Sequence, residues 1–228
     1  NTSLLRLTGT KLEMKIILKT FGNGSSEMVT NLSASIINIL YNFQLMKLAG
    51  ENGIAAYGII MYVNFAFMAI YLGYAIGSSP VVGYHYGAGN YEELKNLRRK
   101  SMVLMGAAGI VMTVLAEVLT VPLVSVFAGY DAELFDLTCY GFRLYALAFL
   151  AMGLNVWGSA FFTALGNGMV SASISFLRTL LFQIAMVLTL PLILGIAGIW
   201  LAIGAAELLA LAVTAVFLAV NRKKYHYA

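Results

Sequence analysis

A stripe of polar residues runs along the first apolar stretch of the chain. It comprises Asn23, Glu27, Asn31, Ser35, Asn38 and Asn42. At about 100° per residue of α-helix, these six fall within an arc of about 120°. Oxygen ligands suit hard cations, and an ionisable residue inside an apolar span marks an ion or proton pathway. We therefore predict that Glu27 binds sodium or a proton and that Asn38 and Asn42 line a polar cavity. The alternative is a neutral Glu27 hydrogen-bonded to a neighbouring helix.

Two further polar patterns could belong to the same cavity. Tyr57, Asn64 and Tyr71 recur at seven-residue spacing with methionines between them. Tyrosine and methionine together form an adaptable wall for organic ligands and cations. Asn155 and Ser159 are four residues apart and share a helix face that could meet the stripe. We predict that Tyr57, Asn64, Tyr71 and Ser159 line the cavity, with ordinary helix packing as the alternative for the tyrosine face.

Three other charged residues fall inside apolar stretches. We expect Arg178 to extend its side chain to the membrane surface, with pairing to an acid as the alternative. Glu117 and Glu207 are expected to make interhelical hydrogen bonds or to lie at the membrane interface, because no polar stripe surrounds them. The roles of these two acids stay open at this point.

The sequence lacks the residue patterns of several common kinds of catalytic site. The sequence contains no H-E-x-x-H zinc pair, no G-x-S-x-G nucleophile turn and no G-x-x-x-x-G-K-[ST] phosphate loop. A single cysteine, Cys139, excludes a disulfide framework and a cysteine-rich zinc site. We therefore predict that the protein is not an enzyme, carries no ATPase and uses no cofactor beyond a coupling ion, Na⁺ or H⁺.

The elements that position these residues are predicted to be membrane-spanning helices. Hydrophobic residues make up 61% of the chain and charged residues only 11%, against about a quarter charged in soluble domains. Residues 52–91 and 144–177 contain no charged residue, and about 20 residues of helix suffice for one crossing. We predict an all-α, polytopic bundle with spans near 16–46, 54–86, 101–128, 135–165, 172–194 and 196–221. The lobe is thus 16–221, after a lead-in at 1–15 and before a basic tail at 222–228.

The distribution of basic residues predicts the orientation of the bundle. Eleven of the fourteen Lys and Arg residues precede or begin the first span, lie between the second and third, or follow the sixth. Cytoplasmic loops are enriched in basic residues, so both termini are expected in the cytoplasm and the protein in the cell membrane. The same placement at span ends argues against nucleic acid as a partner and favours membrane lipids. Residues 90–100 are expected to lie along the cytoplasmic interface.

Particular sequence motifs resemble a known transporter family. The element G-S-S-P-V-V-G-Y-H-Y-G-A-G-N-Y at 77–91, the preceding I-A-A-Y-G at 54–58, and the run 175–200 with F-L-R-T-L and G-I-A-G-I-W are similar to the second half of the multidrug and toxic compound extrusion (MATE) family. The resemblance implies the C-terminal lobe of a twelve-helix antiporter whose N-terminal lobe is the missing partner. It also implies export of organic cationic or amphipathic drugs or toxins against sodium or protons. The first residue is Asn1 rather than Met, so we expect a piece of a longer protein.

The resemblance also bears on the ion site. In sodium-coupled members an acid on the first helix of this lobe helps hold the ion, and Glu27 is at about that place. A second family acid, on the fourth helix, would align with Asn155, which is an amide here. This leaves a reduced site of Glu27, Asn31 and Asn155, with sodium and proton both open. The alternative functions are a lipid-linked oligosaccharide flippase of the wider superfamily and, from another class, a membrane scaffold or intramembrane enzyme.

Overall fold

This computed structural model describes residues 13–227, without the side chains of Asn23, Ser26 and Glu27. The described residues form seven α-helices and one π-helical turn. The helices are α1 (Met14–Gly87), α2 (Tyr91–Ala128), α3 (Ala132–Ala146), α4 (Phe149–Ala164), α5 (Gly168–Phe176), α6 (Phe182–Leu194) and α7 (Ile196–Asn221), with the π-helical turn at Leu177–Leu181. No strand occurs in this range. The predicted all-α class is confirmed.

Helix α1 is a hairpin of two arms. A straight helix of its 74 residues would be about 110 Å long, more than three times the hydrocarbon core of a membrane. At Gly50 the backbone leaves the helical region, with φ 63° and ψ −151°, a conformation that is open to glycine because it lacks Cβ. The rings of Tyr41 and Tyr57 then stack with centroids 4.8 Å apart. Residues 14–49, the first arm, therefore lie against residues 51–87, the second arm.

The number of crossings follows from this hairpin. Four helices in the described range are long and apolar enough to cross a membrane, or five if the bent pair α3–α4 is one span. One of the four covers residues 28–87 and contains parts of both arms, so it accounts for two crossings. With α3–α4 counted as one span, the described residues therefore form a six-span bundle, as the sequence predicts.

Helix α2 corrects one boundary. Residues 90–100 are predicted to lie along the interface before a span that begins near 101, but the structure joins them to that span in one helix of 38 residues. The segment is rich in strong helix formers and has no Gly or Pro before Gly106. The side chain of Asn90 also caps the helix by accepting a hydrogen bond from Glu93 N at 3.2 Å. The helix therefore starts at Tyr91.

The fourth span is broken, although the sequence predicts one helix over 135–165. Helices α3 and α4 meet at a bend of 51°. Side chains of neighbouring helices donate to carbonyls beside the bend, Thr113 Oγ1 to Ala146 O at 3.3 Å and Tyr71 Oη to Phe149 O at 3.0 Å. Irregular backbone at membrane depth is tolerated where such partners satisfy it. The break was not predictable from 135–165 alone because its partners lie on other helices.

Helix α4 is the centre of the bundle. It packs against α1, α2, α5 and α7. Its Trp157, Phe161 and Phe162 are among the largest fully buried side chains. Its hydroxyl and amide side chains, Asn155, Ser159 and Thr163, all have hydrogen-bond partners within the bundle.

The residues after α7 fold back onto the bundle. The sequence predicts only a basic tail at 222–228, whereas Tyr227 is fully buried and donates its hydroxyl to Leu218 O at 2.9 Å. Its ring meets Phe161 edge-on at 5.2 Å, and Tyr225 meets Tyr86 at 5.5 Å. The tail is therefore an ordered part of this end of the lobe, with its basic side chains exposed.

Candidate functional site

Arg178 and Glu207 form an ion pair inside the bundle. Arg178 Nε donates to Glu207 Oε1 at 2.8 Å and to Oε2 at 3.0 Å. Glu207 has no exposed surface and Arg178 is only 9% exposed. An unpaired charge at such depth costs several kcal/mol, so each residue needs the other. The expectation that Arg178 reaches the membrane surface is therefore wrong, and the alternative of pairing with an acid is the one observed.

Asn155 and Thr214 complete a buried polar network around Glu207. Asn155 Nδ2 donates to Glu207 Oε2 at 2.7 Å and to the backbone oxygen of Glu207 at 2.9 Å. Thr214 Oγ1 donates to Asn155 Oδ1 at 3.1 Å. Thr214 lies seven residues after Glu207, two turns along the same face of α7. The predicted interhelical hydrogen bond of Glu207 is confirmed, and the network joins three spans.

A π-helical turn carries Arg178. The turn Leu177–Leu181 inserts wider helical geometry between α5 and α6, and Arg178 and Thr179 are its buried residues. Such π-bulges occur often at functional sites because they rotate side chains out of the regular register. Here the turn directs Arg178 toward α7. The local sequence F-L-R-T-L gives no sign of it.

The ion pair forms part of the wall of a cavity of about 360 Å³, here called the central cavity. Its polar lining includes Asn38 from the first arm and Asn64 from the second, and Gln183 from α6. Tyr57 and Met61 add the apolar wall. Three sequence-predicted residues, Asn38, Tyr57 and Asn64, thus meet at one cavity. Buried Asn64 Oδ1 has no hydrogen-bond partner among the described residues, so it is available to a ligand.

A second cavity of about 450 Å³, here called the side cavity, also borders the first arm of α1. Asn31, Ser159, Thr163 and Ser175 line it together with Arg178. Ser159 Oγ lies 3.0 Å from Ser175 Oγ and 2.9 Å from Ser171 Oγ, and Thr163 Oγ1 lies 2.6 Å from Ser171 Oγ. These four hydroxyls are named the hydroxyl cluster. Asn31 and Ser159 therefore share the side cavity rather than the central one.

A third cavity, about 590 Å³ in volume, opens between the two arms of α1. It shares four lining residues with the central cavity, Asn38, Tyr57, Met61 and Phe65, and adds Asn42. Its remaining lining is mainly apolar and aromatic.

The polar stripe lies beside the packed face of the first arm and not on it. The buried face of this arm is Ser33, Ile37, Tyr41 and Leu45. At about 100° per residue, the described members of the stripe are centred about 110° away around the helix. Asn31, Ser35 and Asn38 are exposed in the lobe. These exposed residues nevertheless border cavities: Asn38 lines the central cavity and Asn31 lines the side cavity.

Glu27 itself lies in the first arm, one turn before Thr30, which lines both the central and the side cavity. Its side chain lies outside the described part of the structure, so the predicted ion ligand has no described geometry. Among the described residues, no group of three or more His, Cys, Asp or Glu side chains could hold a metal ion. The sodium prediction for Glu27 thus stays a prediction.

Two other predicted site residues have different surroundings from those expected. Tyr71 has no exposed surface and bonds the backbone of α4, which places it in the packed core and not on a cavity wall. Asn155 is expected to face the stripe, but its amide is held by Glu207 and Thr214. Glu117 lies on the outside, with its carboxylate 4.0 Å from exposed Arg143.

The pairing of Arg178 with Glu207 in particular was not predicted from the sequence. A usable signal was present, because each is an ionisable residue within an apolar span and carries the charge opposite to the other. Buried charges are paired as a rule, and the two spans are consecutive. What the sequence lacked was the rotation of Arg178 caused by the π-helical turn.

Comparisons with known proteins give a consistent picture. The sequence profile named MatE matches residues 27–189, well over half of the chain. No curated protein matches the chain by sequence. The solved structure of an outward-facing multidrug resistance MATE family transporter of the MOP superfamily aligns with a TM-score of 0.89 at 19% identity, over 98% of this chain and 50% of that chain.

Two further structures agree with it. A MOP superfamily transporter from Pyrococcus furiosus, described as having a binding pocket of reverse polarity that suggests a different function, aligns with a TM-score of 0.87 at 18% identity, over 96% of this chain and 49% of that chain. A mutant of the Vibrio cholerae MATE transporter VcmN aligns with a TM-score of 0.84 at 17% identity, over 94% and 49%. At these identities the likeness shows the fold alone. The chain spans about half the length of the structures that it matches.

Proposed function

The chain belongs to the MatE family, and from this premise we propose that it is the C-terminal lobe of a cation-coupled antiporter that exports organic cations, drugs or toxins. The partner is an N-terminal lobe that supplies the other half of the length seen in the matched structures. The protein acts as a transporter and not as an enzyme. We place it in the cell membrane with both termini in the cytoplasm.

The observation that carries this proposal is the central cavity. Its wall combines side-chain amides of Asn38 and Asn64, the ring of Tyr57 and the thioether of Met61. Aromatic faces attract cations and methionine adapts to ligands of different shape. A scaffold needs no such wall at the depth of the membrane. Alternating access between two lobes would expose this surface to each side in turn.

We assign the coupling ion, sodium or a proton, to the first arm. Glu27 supplies the carboxylate and Asn31, which lines the side cavity, supplies an amide oxygen one turn later. Asn155, whose amide is held by Glu207 and Thr214, is not part of this pair. Ion capture at Glu27 is then the local event that shifts the balance between the two states of the transporter.

Transport by the full-length protein that contains this chain tests the proposal. The wild-type protein, expressed in a drug-sensitive host, should confer resistance to organic cations, and Glu27→Gln should abolish most of it. Glu117→Gln is the matched control, because Glu117 lies outside the cavities beside exposed Arg143. Resistance that survives Glu27→Gln, with unchanged dependence on sodium or protons, would remove Glu27 from the coupling role.

The flippase alternative predicts a different substrate dependence. In proteoliposomes, a lipid-linked oligosaccharide would compete with the drug and would itself be moved. An exporter of organic cations instead shows competition among cations of unrelated structure. The two outcomes separate the functions with one preparation.

A further inference from the structure

Arg178 covers the carboxylate of Glu207 on the side of the central cavity. Both residues contribute to the cavity wall, yet Glu207 has no exposed surface while Arg178 Nε bonds both of its carboxylate oxygens. Of the described residues that line this cavity, these two alone are charged. A cation that enters the cavity thus meets a carboxylate that is already paired with the guanidinium of Arg178.

Asn155 would still hold the Glu207 carboxylate if the Arg178 guanidinium moved away from it. Asn155 Nδ2 bonds Glu207 Oε2 and the backbone oxygen of Glu207, and Thr214 fixes the amide from its other end. These bonds position the carboxylate independently of the guanidinium. The site is therefore preorganised to receive a different cation.

A second cavity next to Arg178 offers hydrogen-bond acceptors for its guanidinium. Arg178 lines the side cavity as well as the central one, beside Ser159, Thr163 and Ser175 of the hydroxyl cluster. Hydroxyl oxygens are good acceptors for guanidinium donors. Arg178 sits on a π-helical turn, and such a turn differs from an α-helical one by a single residue of register. A small change in the turn would carry the guanidinium from one cavity to the other.

We propose that Arg178 competes with cationic ligands for the carboxylate of Glu207. It occupies Glu207 when the central cavity is empty, and it moves to the hydroxyl cluster when a monovalent cation takes its place on Glu207. Glu207 is then a ligand-binding residue and Arg178 a positioning residue. The inference rests on the proposed transport function and names the carboxylate at which the cation binds.

Binding of tetraphenylphosphonium to the purified full-length protein, measured by calorimetric titration, tests this idea. Arg178→Gln removes the competing charge and should tighten binding by about tenfold or more, because like charges placed together cost at least that much. Arg178→Lys keeps the charge and should bind nearly as the wild type does. Glu207→Gln should weaken binding by a similar factor. Glu117→Gln should change nothing.

Ser159→Ala separates competition from a general effect of charge. In the wild type it removes an acceptor for the displaced guanidinium, so tetraphenylphosphonium should bind several-fold more weakly. In the Arg178→Gln background there is no guanidinium to be displaced, so Ser159→Ala should leave the affinity for tetraphenylphosphonium unchanged. An equal effect of Ser159→Ala in both backgrounds would overturn the proposed movement. Should Arg178→Gln not fold, Arg178→Met provides the second background, because it removes the charge and keeps the Glu207 carboxylate.

The source of the cation is decided by parallel titrations. A gain in affinity of Arg178→Gln for tetraphenylphosphonium alone assigns the site to organic cations, and a gain for NaCl alone assigns it to the alkali ion. No gain for either probe in the folded variant overturns the inference. Transport by the wild type is scored separately, so a protein that binds without transporting refutes the proposed function and leaves the competitor role standing.

Discussion

Arg98 holds the last described residue of the chain, Tyr227, against the bundle. Its Nε donates to Tyr227 O at 3.2 Å, and its guanidinium carbon lies 5.6 Å from the centre of the Tyr227 ring. The two residues are separated by 129 positions in sequence. Helix α2 and the segment after α7 are thereby fastened together at the end of the lobe where most basic residues lie.

Tyr227→Ala should therefore lower the stability of the protein. Loss of a fully buried aromatic ring costs about 3 kcal/mol, and the contacts with Phe161 and Arg98 go with it. Thermal unfolding in detergent measures the change. Lys223→Ala is the control, because Lys223 is exposed on the same segment. Equal melting temperatures for the two variants would show that the segment adds no stability.

The buried hydroxyl of Tyr227 should also make the free energy of unfolding depend on pH in the alkaline range. Burial raises the pKa of Tyr227 from 10.0 to about 12, so the folded state holds the phenolic proton more tightly than the unfolded state does. The stabilisation is complete below pH 10 and is lost as the pH rises toward 12. The advantage of wild type over Tyr227→Phe should thus shrink across this window. A difference that is constant with pH would contradict the raised pKa.

Gly50 is expected to resist substitution because of its backbone conformation. With φ 63° and ψ −151° it lies in a region essentially restricted to glycine. Gly50→Ala should destabilise the hairpin of α1 by about 1–3 kcal/mol. Gly58→Ala is the matched control, since it sits in regular helix with open space around it. Denaturant unfolding of both variants gives the comparison, and similar midpoints would refute the strain.

Gly153 allows Tyr71 to approach the centre of α4. A Cβ on Gly153 would lie 2.7 Å from the Tyr71 ring, so Gly153→Ala must displace the ring and its hydrogen bond to Phe149 O. Overpacking of this kind costs about 1–3 kcal/mol. Gly106→Ala, where no atom lies within 4 Å, should be tolerated. Thermal unfolding of the pair tests the contact.

The orientation of the lobe can be read by chemical labelling of intact cells. In a Cys139→Ala background, Lys95→Cys should stay unlabelled by a membrane-impermeant maleimide, because the basic first turns of α2 are expected in the cytoplasm. Asp131→Cys, at the opposite end of α2, should react. Labelling in the reverse pattern would place both termini outside.

Much of the fold could be predicted from local sequence. Long charge-free stretches, separated by short turns, suffice for six helical spans, because a membrane forces apolar segments into helices. Asn90 and Asp131 cap helices α2 and α3 by accepting from backbone N–H groups three residues ahead, which depends only on neighbouring residues. The motifs at 77–91 and 175–200 likewise point to the family without reference to contacts.

Tertiary contacts decided the site. The sequence determined that Glu27, Arg178 and Glu207 are ionisable residues inside spans, but pairing depends on how helices rotate and where they break. The π-helical turn brings Arg178 to Glu207, and the bend between α3 and α4 is held by Thr113 and Tyr71 from other helices. A helical pattern fixes which residues share a face, whereas the neighbour that each face meets is set only when all six spans pack.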